Sequence, residues 1–281
     1  MGTYDFDDSI GSDYTWKSFG DELIATADLD PVYVMLAEAD HLLSESMLKR
    51  FLLAYWCFYH CGVAAHIAES KDFYKTMWRA IRETWPRGTE RRYFYGLRAK
   101  GTIAYLVGAG APERIVDDMC NHDDFQSSQK VIMAYEGFGP LVGWKVADMA
   151  ERVLGYDVDF SNSTLDAYVD PRQGAALIKF GDWRHPISDD ELEDVCYDME
   201  SYFMAKHNAP PLYDRRVNIQ EIKTILCKHK DLHKGAYFMG KDTREVRFYM
   251  EGWGDLSEEL RKFLPPDIHP KRKQHLDIHD G

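Results

Sequence analysis

Apolar positions along the chain recur at helical spacing, and alternating strand patterns are scarce. Residues 46–69 are apolar on every face, which predicts one central, buried helix. Amphipathic patterns predict helices over 71–84 and 89–108, the second opening after Trp85-Pro86-Arg87-Gly88. Pro112 stands at the first turn of a short helix ending near Cys120, where a missing N–H costs nothing. Further helices are expected over 126–135, 140–154, 163–179, 188–207, 216–230 and 256–264. Only Ala236-Tyr237-Phe238-Met239 reads as a short extended piece. The expected fold class is all-α, one unit in one or two lobes, with loose ends over 1–14 and 266–281.

Composition changes this picture little. The 281 residues, 45% hydrophobic and 29% charged, suit a folded domain with a sizeable core and exclude wholesale disorder. No run of about 18 apolar residues predicts a membrane span. The first residues, Met1 to Asp8, are acidic and carry no basic n-region, so no secretory leader is expected. Cysteines at 57, 61, 120, 196 and 227 form neither a CxxC pair nor a disulfide framework, and a reducing cytoplasm is the expected compartment. Cys57, His60, Cys61 and His66 share one predicted helix, but no second cluster has zinc spacing, so no metal site is expected.

Charge changes it more. The net charge of −13 argues against a polyanionic partner until its distribution is read. Residues 1–45 hold eleven acids against Lys17, and residues 189–200 hold seven acids and no base. Residues 82–104 carry six Lys or Arg against two acids, and residues 205–250 carry ten against five. Two segments can therefore face an anion. One predicted helix runs into Gly137-Phe138-Gly139 and the next begins at Pro140. Such glycines permit a tight hairpin whose amides, with the following helix N-terminus, stand open to an anion.

The segment Ala134-Tyr-Glu-Gly-Phe-Gly-Pro-Leu-Val-Gly-Trp-Lys resembles the helix-hairpin-helix motif, which grips a nucleic-acid phosphate through main-chain N–H groups. Asp159, in Val158-Asp159, is the twentieth residue after Gly139. The same interval and context mark the essential aspartate of helix-hairpin-helix DNA glycosylases, so residues 44–180 resemble that all-helical fold. Leu141 stands where lyase-type relatives carry a nucleophilic lysine, and their four-cysteine cluster site is absent. A narrower resemblance is carried, in order, by Phe58-Tyr59-His60, Pro86-Arg87-Gly88-x-Glu90-Arg91-Arg92, Gly137-Phe138-Gly139-Pro140 with Trp144-Lys145-x-x-Asp148, Asp170-Pro171-Arg172-x-Gly174 and Cys227-Lys228-x-Lys230. Together they are similar to the phage α-glutamyl/putrescinyl thymine pyrophosphorylases, or amino acid:DNA transferases.

That resemblance implies displacement of pyrophosphate from 5-(pyrophosphoryloxymethyl)uracil in DNA by an amine or amino acid, in the cytoplasm of an infected bacterium. Residues 31–255 would form the catalytic domain, between an acidic extension (1–30) and a tail (256–281). No cofactor is required, although Mg²⁺ could accompany the pyrophosphate; the partners would be activated DNA and a free amino acid or polyamine. The multiply charged leaving group calls for cations, and Arg87, Arg91, Arg92 and Arg98, with Lys228 and Lys230, are the candidates. Arg87, Arg91 and Arg98 are expected on one helical face, whereas Lys228 and Lys230, two apart, cannot share one. The ammonium of the incoming donor needs a base or an orienting carboxylate. Asp159 is the first candidate, then Asp148, Glu90 and His60. Gly137, Phe138, Gly139 and Lys145 would hold DNA. Tyr59 and Trp144, with Tyr55 and Trp56 as further aromatic candidates, would stack on a flipped base. A base-excision glycosylase without lyase activity, with Asp159 activating water, and a non-catalytic DNA-binding module are the alternatives.

Overall fold

Burial decides which of these patterns become helices and where they break. The computed structural model describes residues 14–268, and most of the two expected loose ends, with the basic Lys271-Arg272-Lys273, lies outside them. Fourteen α-helices and no β-strand occur among the described residues. They are α1 (Trp16–Ala25), α2 (Pro31–Glu38), α3 (Glu45–Phe58), α4 (Cys61–Glu69), α5 (Phe73–Arg82), α6 (Gly96–Ala109) and α7 (Pro112–Cys120). The rest are α8 (Phe125–Ala134), α9 (Pro140–Arg152), α10 (Val169–Phe180), α11 (Asp189–Lys206), α12 (Ile219–His233), α13 (Lys241–Tyr249) and α14 (Asp255–Arg261). No helix is long and apolar enough to cross a membrane.

The expected central helix exists but is two helices. Residues Phe51 to Phe58 of α3 are all buried, as an all-round apolar helix must be. Tyr59 then turns into the left-handed region at φ 52°. His60 starts α4 by accepting the Val63 amide on Nδ1 at 3.2 Å. The Gly88 amide donates to the Phe58 carbonyl across the break at 3.0 Å. Downstream, residues 89–91 make only a single 3₁₀ turn and α6 begins at Gly96, where φ is +57°. The first third of the segment expected as one helix over 89–108 thus lies outside α6. Residues 236–239 form an irregular connection and no strand, and α10 starts at 169 instead of 163.

One continuous core runs from Phe19 to Leu264, so α1, in the expected acidic extension, and α14, in the expected tail, pack into it. Asp28 explains how the acidic start is held. Its buried carboxylate accepts from the Tyr237 hydroxyl, from the amides of Gly240 (2.8 Å) and Thr243 (3.0 Å), and from the Thr243 hydroxyl (2.7 Å). A carboxylate so enclosed is tolerated because its oxygens find donors. It ties the α1–α2 turn to the start of α13 and brings Asp30 beside α12. The α10–α12 crossing depends on Gly174, where an added Cβ would sit 2.3 Å from the Leu226 carbonyl oxygen.

Candidate active site

A cleft of about 370 Å³ opens where α2, α3, α9, α12 and α13 meet. The polar face of α12 forms one wall: Lys223, Cys227 and Asp231 are spaced by four, as are Thr224 and Lys228. Asp30 and Pro31 enter from the start of α2, Lys145 from α9, and Lys241, Asp242, Glu245 and Tyr249 from α13. Tyr59 lines it at the α3–α4 break, stacked on Tyr55 at 4.8 Å. Gly88, Thr89 and Glu90 complete the rim.

Most cations in the cleft are matched to a carboxylate. Lys145 Nζ lies 2.7 Å from Asp30 and 3.8 Å from Asp148, over the Tyr33 ring at 4.5 Å. Burial pulls its pKa down, but Asp30, Tyr59 and Asp148 outweigh that and raise it, so Lys145 stays charged. Asp148 is buried and accepts from the Tyr33 hydroxyl (2.6 Å) and from Gln220 (2.8 Å). Burial, foremost, pushes its carboxyl up despite Lys145. Lys228 donates to the Asp28 carbonyl and pairs with Asp242 at 2.7 Å. Lys241 pairs with Glu245 at 3.6 Å.

Glu90 differs from the other acids. It reaches water at the rim, its one side-chain hydrogen bond comes from Thr89 (3.1 Å), and it has no ion-pair partner among the described residues. The surrounding protein mass, foremost, raises its carboxyl above the ordinary range. A raised carboxyl facing a cleft is what a proton acceptor working near neutral pH requires.

Beside the cleft, and sharing Glu90 and Leu141 with it, a second cavity of about 240 Å³ runs along the α8–α9 hairpin. Gly137 takes φ +86° there, and a Cβ would lie 2.0 Å from Thr102 Oγ1, so glycine is required twice over. Gly139 is the N-cap residue of α9 and has no side chain with which to cap it. Its amide and those of Leu141 and Val142 have no acceptor among the described residues, and open space surrounds its α-carbon. Arg91 braces the turn, donating to the carbonyls of Gly137 (2.8 Å) and Cys57 (3.1 Å) between the Phe94 and Phe138 rings. Arg98 lines the cavity and is exposed, as are Arg92, Tyr93, Tyr95 and Leu97 on the segment leading to it.

The family model of the amino acid:DNA transferases matches residues 25–237, which takes in the hairpin and the α12 wall. The chain belongs to that family. It is 34% identical over 276 residues to a glycinyltransferase of Pseudomonas phage PaMx11, a match covering 88% of this chain and 94% of that protein. It is 26% identical over 265 residues to a putrescinyltransferase of Delftia phage PhiW-14, covering 90% and 84%. The transferase is therefore an amino acid or amine:DNA enzyme, as its motifs imply.

The fold distributes the transferase's expected site residues unevenly. Glu90, Lys145, Lys228 and Tyr59 converge on the cleft; Gly137, Gly139, Arg91 and Arg98 converge on the hairpin cavity. Asp159 joins neither. Its exposed carboxylate accepts from the amide (2.8 Å) and hydroxyl (2.7 Å) of Ser161, while its backbone bridges to Asp123 and Phe125. Asp148 lies behind the Lys145 ammonium, below the cleft surface. His60 is a helix cap stacked on Tyr249, and burial depresses its pKa to about 4, which keeps it neutral. Trp144 is buried among Phe125, Phe160 and Tyr168, Trp56 is buried in α3, and Phe138 lies under Arg91, so none offers a ring to DNA.

The arginines do not share a helical face, because Arg87 and Arg91 fall outside α6. Arg87 folds back to the Trp85 carbonyl (3.1 Å), Arg92 lies over Tyr93 (5.1 Å), and Arg91 points inward. Lys230 is not part of the cleft lining, although Asp170 and Asp231, with which it pairs, are; of the two lysines only Lys228 lines the cleft. Asp30, Lys223, Lys241, Asp242 and Glu245 were not singled out by sequence reasoning. Of these only Lys223 carries a sequence signal, the polar stripe at four-residue spacing on α12.

Proposed function

We propose that the transferase replaces the pyrophosphate of 5-(pyrophosphoryloxymethyl)uracil in phage DNA with an amine, inside the α12-walled cleft. The observation carrying this reading is that the cleft and the hairpin cavity meet at Glu90 and Leu141. A strand held at the free hairpin amides would present its neighbouring base to the cleft. Tyr59 would stack on that base once it leaves the helix. Glu90 would take a proton from the donor ammonium, leaving a neutral amine to attack the 5-methylene carbon. The carbon–oxygen bond breaks as the carbon–nitrogen bond forms, and pyrophosphate leaves with the electron pair. Lys228, Lys241 and Arg98 supply cations for its departing charge. The reading is tested by following pyrophosphate release from DNA carrying the activated base. Release should require an added amine or amino acid; equal release without any donor would mean a hydrolase and overturn it.

The hairpin role gives a separate expectation. At φ −107° with nothing within 4 Å of a Cβ, Gly139→Val fits without strain. The branched side chain should nevertheless block a phosphate from the amides and weaken DNA binding by about tenfold, the worth of a charge-assisted hydrogen bond. Melting temperature should be unchanged. Wild-type affinity in the folded variant would remove the hairpin from the DNA contact.

A further inference from the structure

Lys223 is the exception in the cleft. It stands one turn into α12, is 8% exposed and lines the cleft wall, yet it has no hydrogen-bond or ion-pair partner among the described residues. Lys145, Lys228 and Lys241, which share the cleft, each face a carboxylate within 4 Å. The Lys223 ammonium lies over two aromatic faces, Trp144 at 5.0 Å and Tyr168 at 5.3 Å. Burial, foremost, pulls its pKa down, and Lys145 adds to that; Cys227, Asp148 and Asp30 act the other way without reversing it. Removing an ammonium from water without a partner is costly, so a group kept this way awaits an anion from solution.

The cleft's charge pattern identifies that anion. Six carboxylates (Asp30, Glu90, Asp170, Asp231, Asp242 and Glu245) line it with four lysines. A net-negative cavity suits a donor ammonium, and with Lys228, Lys241 and Arg98 assigned to the pyrophosphate, the single unpaired Lys223 is left for a smaller anion. A single lysine between two rings fits a small, singly charged, planar group. We propose that Lys223 is the docking site for the α-carboxylate of an amino-acid donor, which makes this chain selective for amino acids over simple amines. The proposal rests on the amine-transfer reading above. Glu90 and Lys223 then hold the two ends of a zwitterion, and the donor carboxylate gives the Lys223 ammonium the contact ion-pair partner that it lacks in the empty cleft.

The test compares glycine with methylamine, and glutamate with 4-aminobutyrate, donors that differ within each pair by the α-carboxylate. Wild-type enzyme should prefer the amino acid in kcat/KM. Lys223→Met should lower that preference by about 10²-fold, mainly through KM of the amino acid, as expected for removing one partner of an enclosed charge pair. Because the readout is a ratio within one preparation, it does not depend on how much variant folds. A preference unchanged by the substitution overturns the proposal, whether both donors slow equally, which would place Lys223 at the pyrophosphate, or neither does. Absence of transfer by wild-type enzyme from any of the four donors would instead overturn the amine-transfer reading itself.

Discussion

Glu90→Gln is expected to lower turnover by about 10²–10⁴-fold, the cost of a lost general base, with DNA affinity little altered. The substitution keeps the size of the side chain and its bond from Thr89, so the fold at the rim is preserved. The pH profile separates the proposed role from a purely electrostatic one. With its carboxyl raised, Glu90 in the wild type becomes an effective acceptor only above the ordinary glutamate range, and activity rises through that raised value. In the variant the donor must lose its proton to solvent, so the deficit should shrink steadily as pH rises and neutral amine accumulates. A deficit of the same size at every pH would show that Glu90 contributes charge or shape and moves no proton.

Lys145→Met is expected to cost about 3 kcal/mol of stability in urea unfolding, the lower end of the range for removing one partner of a buried pair. The lower end applies because the Lys145 and Asp30 side chains remain 14% and 23% exposed. Asp148, at 5%, keeps its bonds from Tyr33 and Gln220 but faces Asp30 without the intervening cation. The Asp148 carboxyl, which burial already raises, should then hold its proton more tightly still in the folded state. A folded pKa raised above the unfolded value means that stability falls as pH rises between the two, so the deficit should be small near pH 4 and grow upward. A variant as stable as wild type at neutral pH would show that the Asp30–Lys145–Asp148 cluster does not hold α2 against α9.

What could be read from sequence was what local chemistry decides. The hairpin was legible because glycine at 137 and proline at 140 restrict their own backbone, and the structure has a turn and a helix start there. The break at Tyr59 was not, because no glycine or proline marks it. It is held by the His60 side chain and by the long-range bond from Gly88 to Phe58. Arg87 and Arg91 fit a helical spacing on paper, but burial of Phe94 and Arg91 turns that segment into a loop against the hairpin. Asp159 lies at the interval a glycosylase would use, yet its carboxylate closes a turn on Ser161. Asp30 was hidden in a segment read as an acidic appendage, and only the distant donors of Asp28 explain why that segment is part of the core. Lys223 was hidden among the many polar residues of α12, since a lysine's lack of a partner is a property of the folded chain alone.

The central claim, exchange of an amine for pyrophosphate on an intact nucleotide, is tested most directly by counting both products from one sample. DNA carrying the activated base is incubated with enzyme and an isotopically labelled donor, pyrophosphate is measured, and the DNA is digested for mass spectrometry of its nucleosides. One labelled 5-aminomethyl-type nucleoside should appear for each pyrophosphate released, with its sugar still attached. Free base and abasic sites, or pyrophosphate released with unlabelled 5-hydroxymethyl nucleoside, would contradict the account.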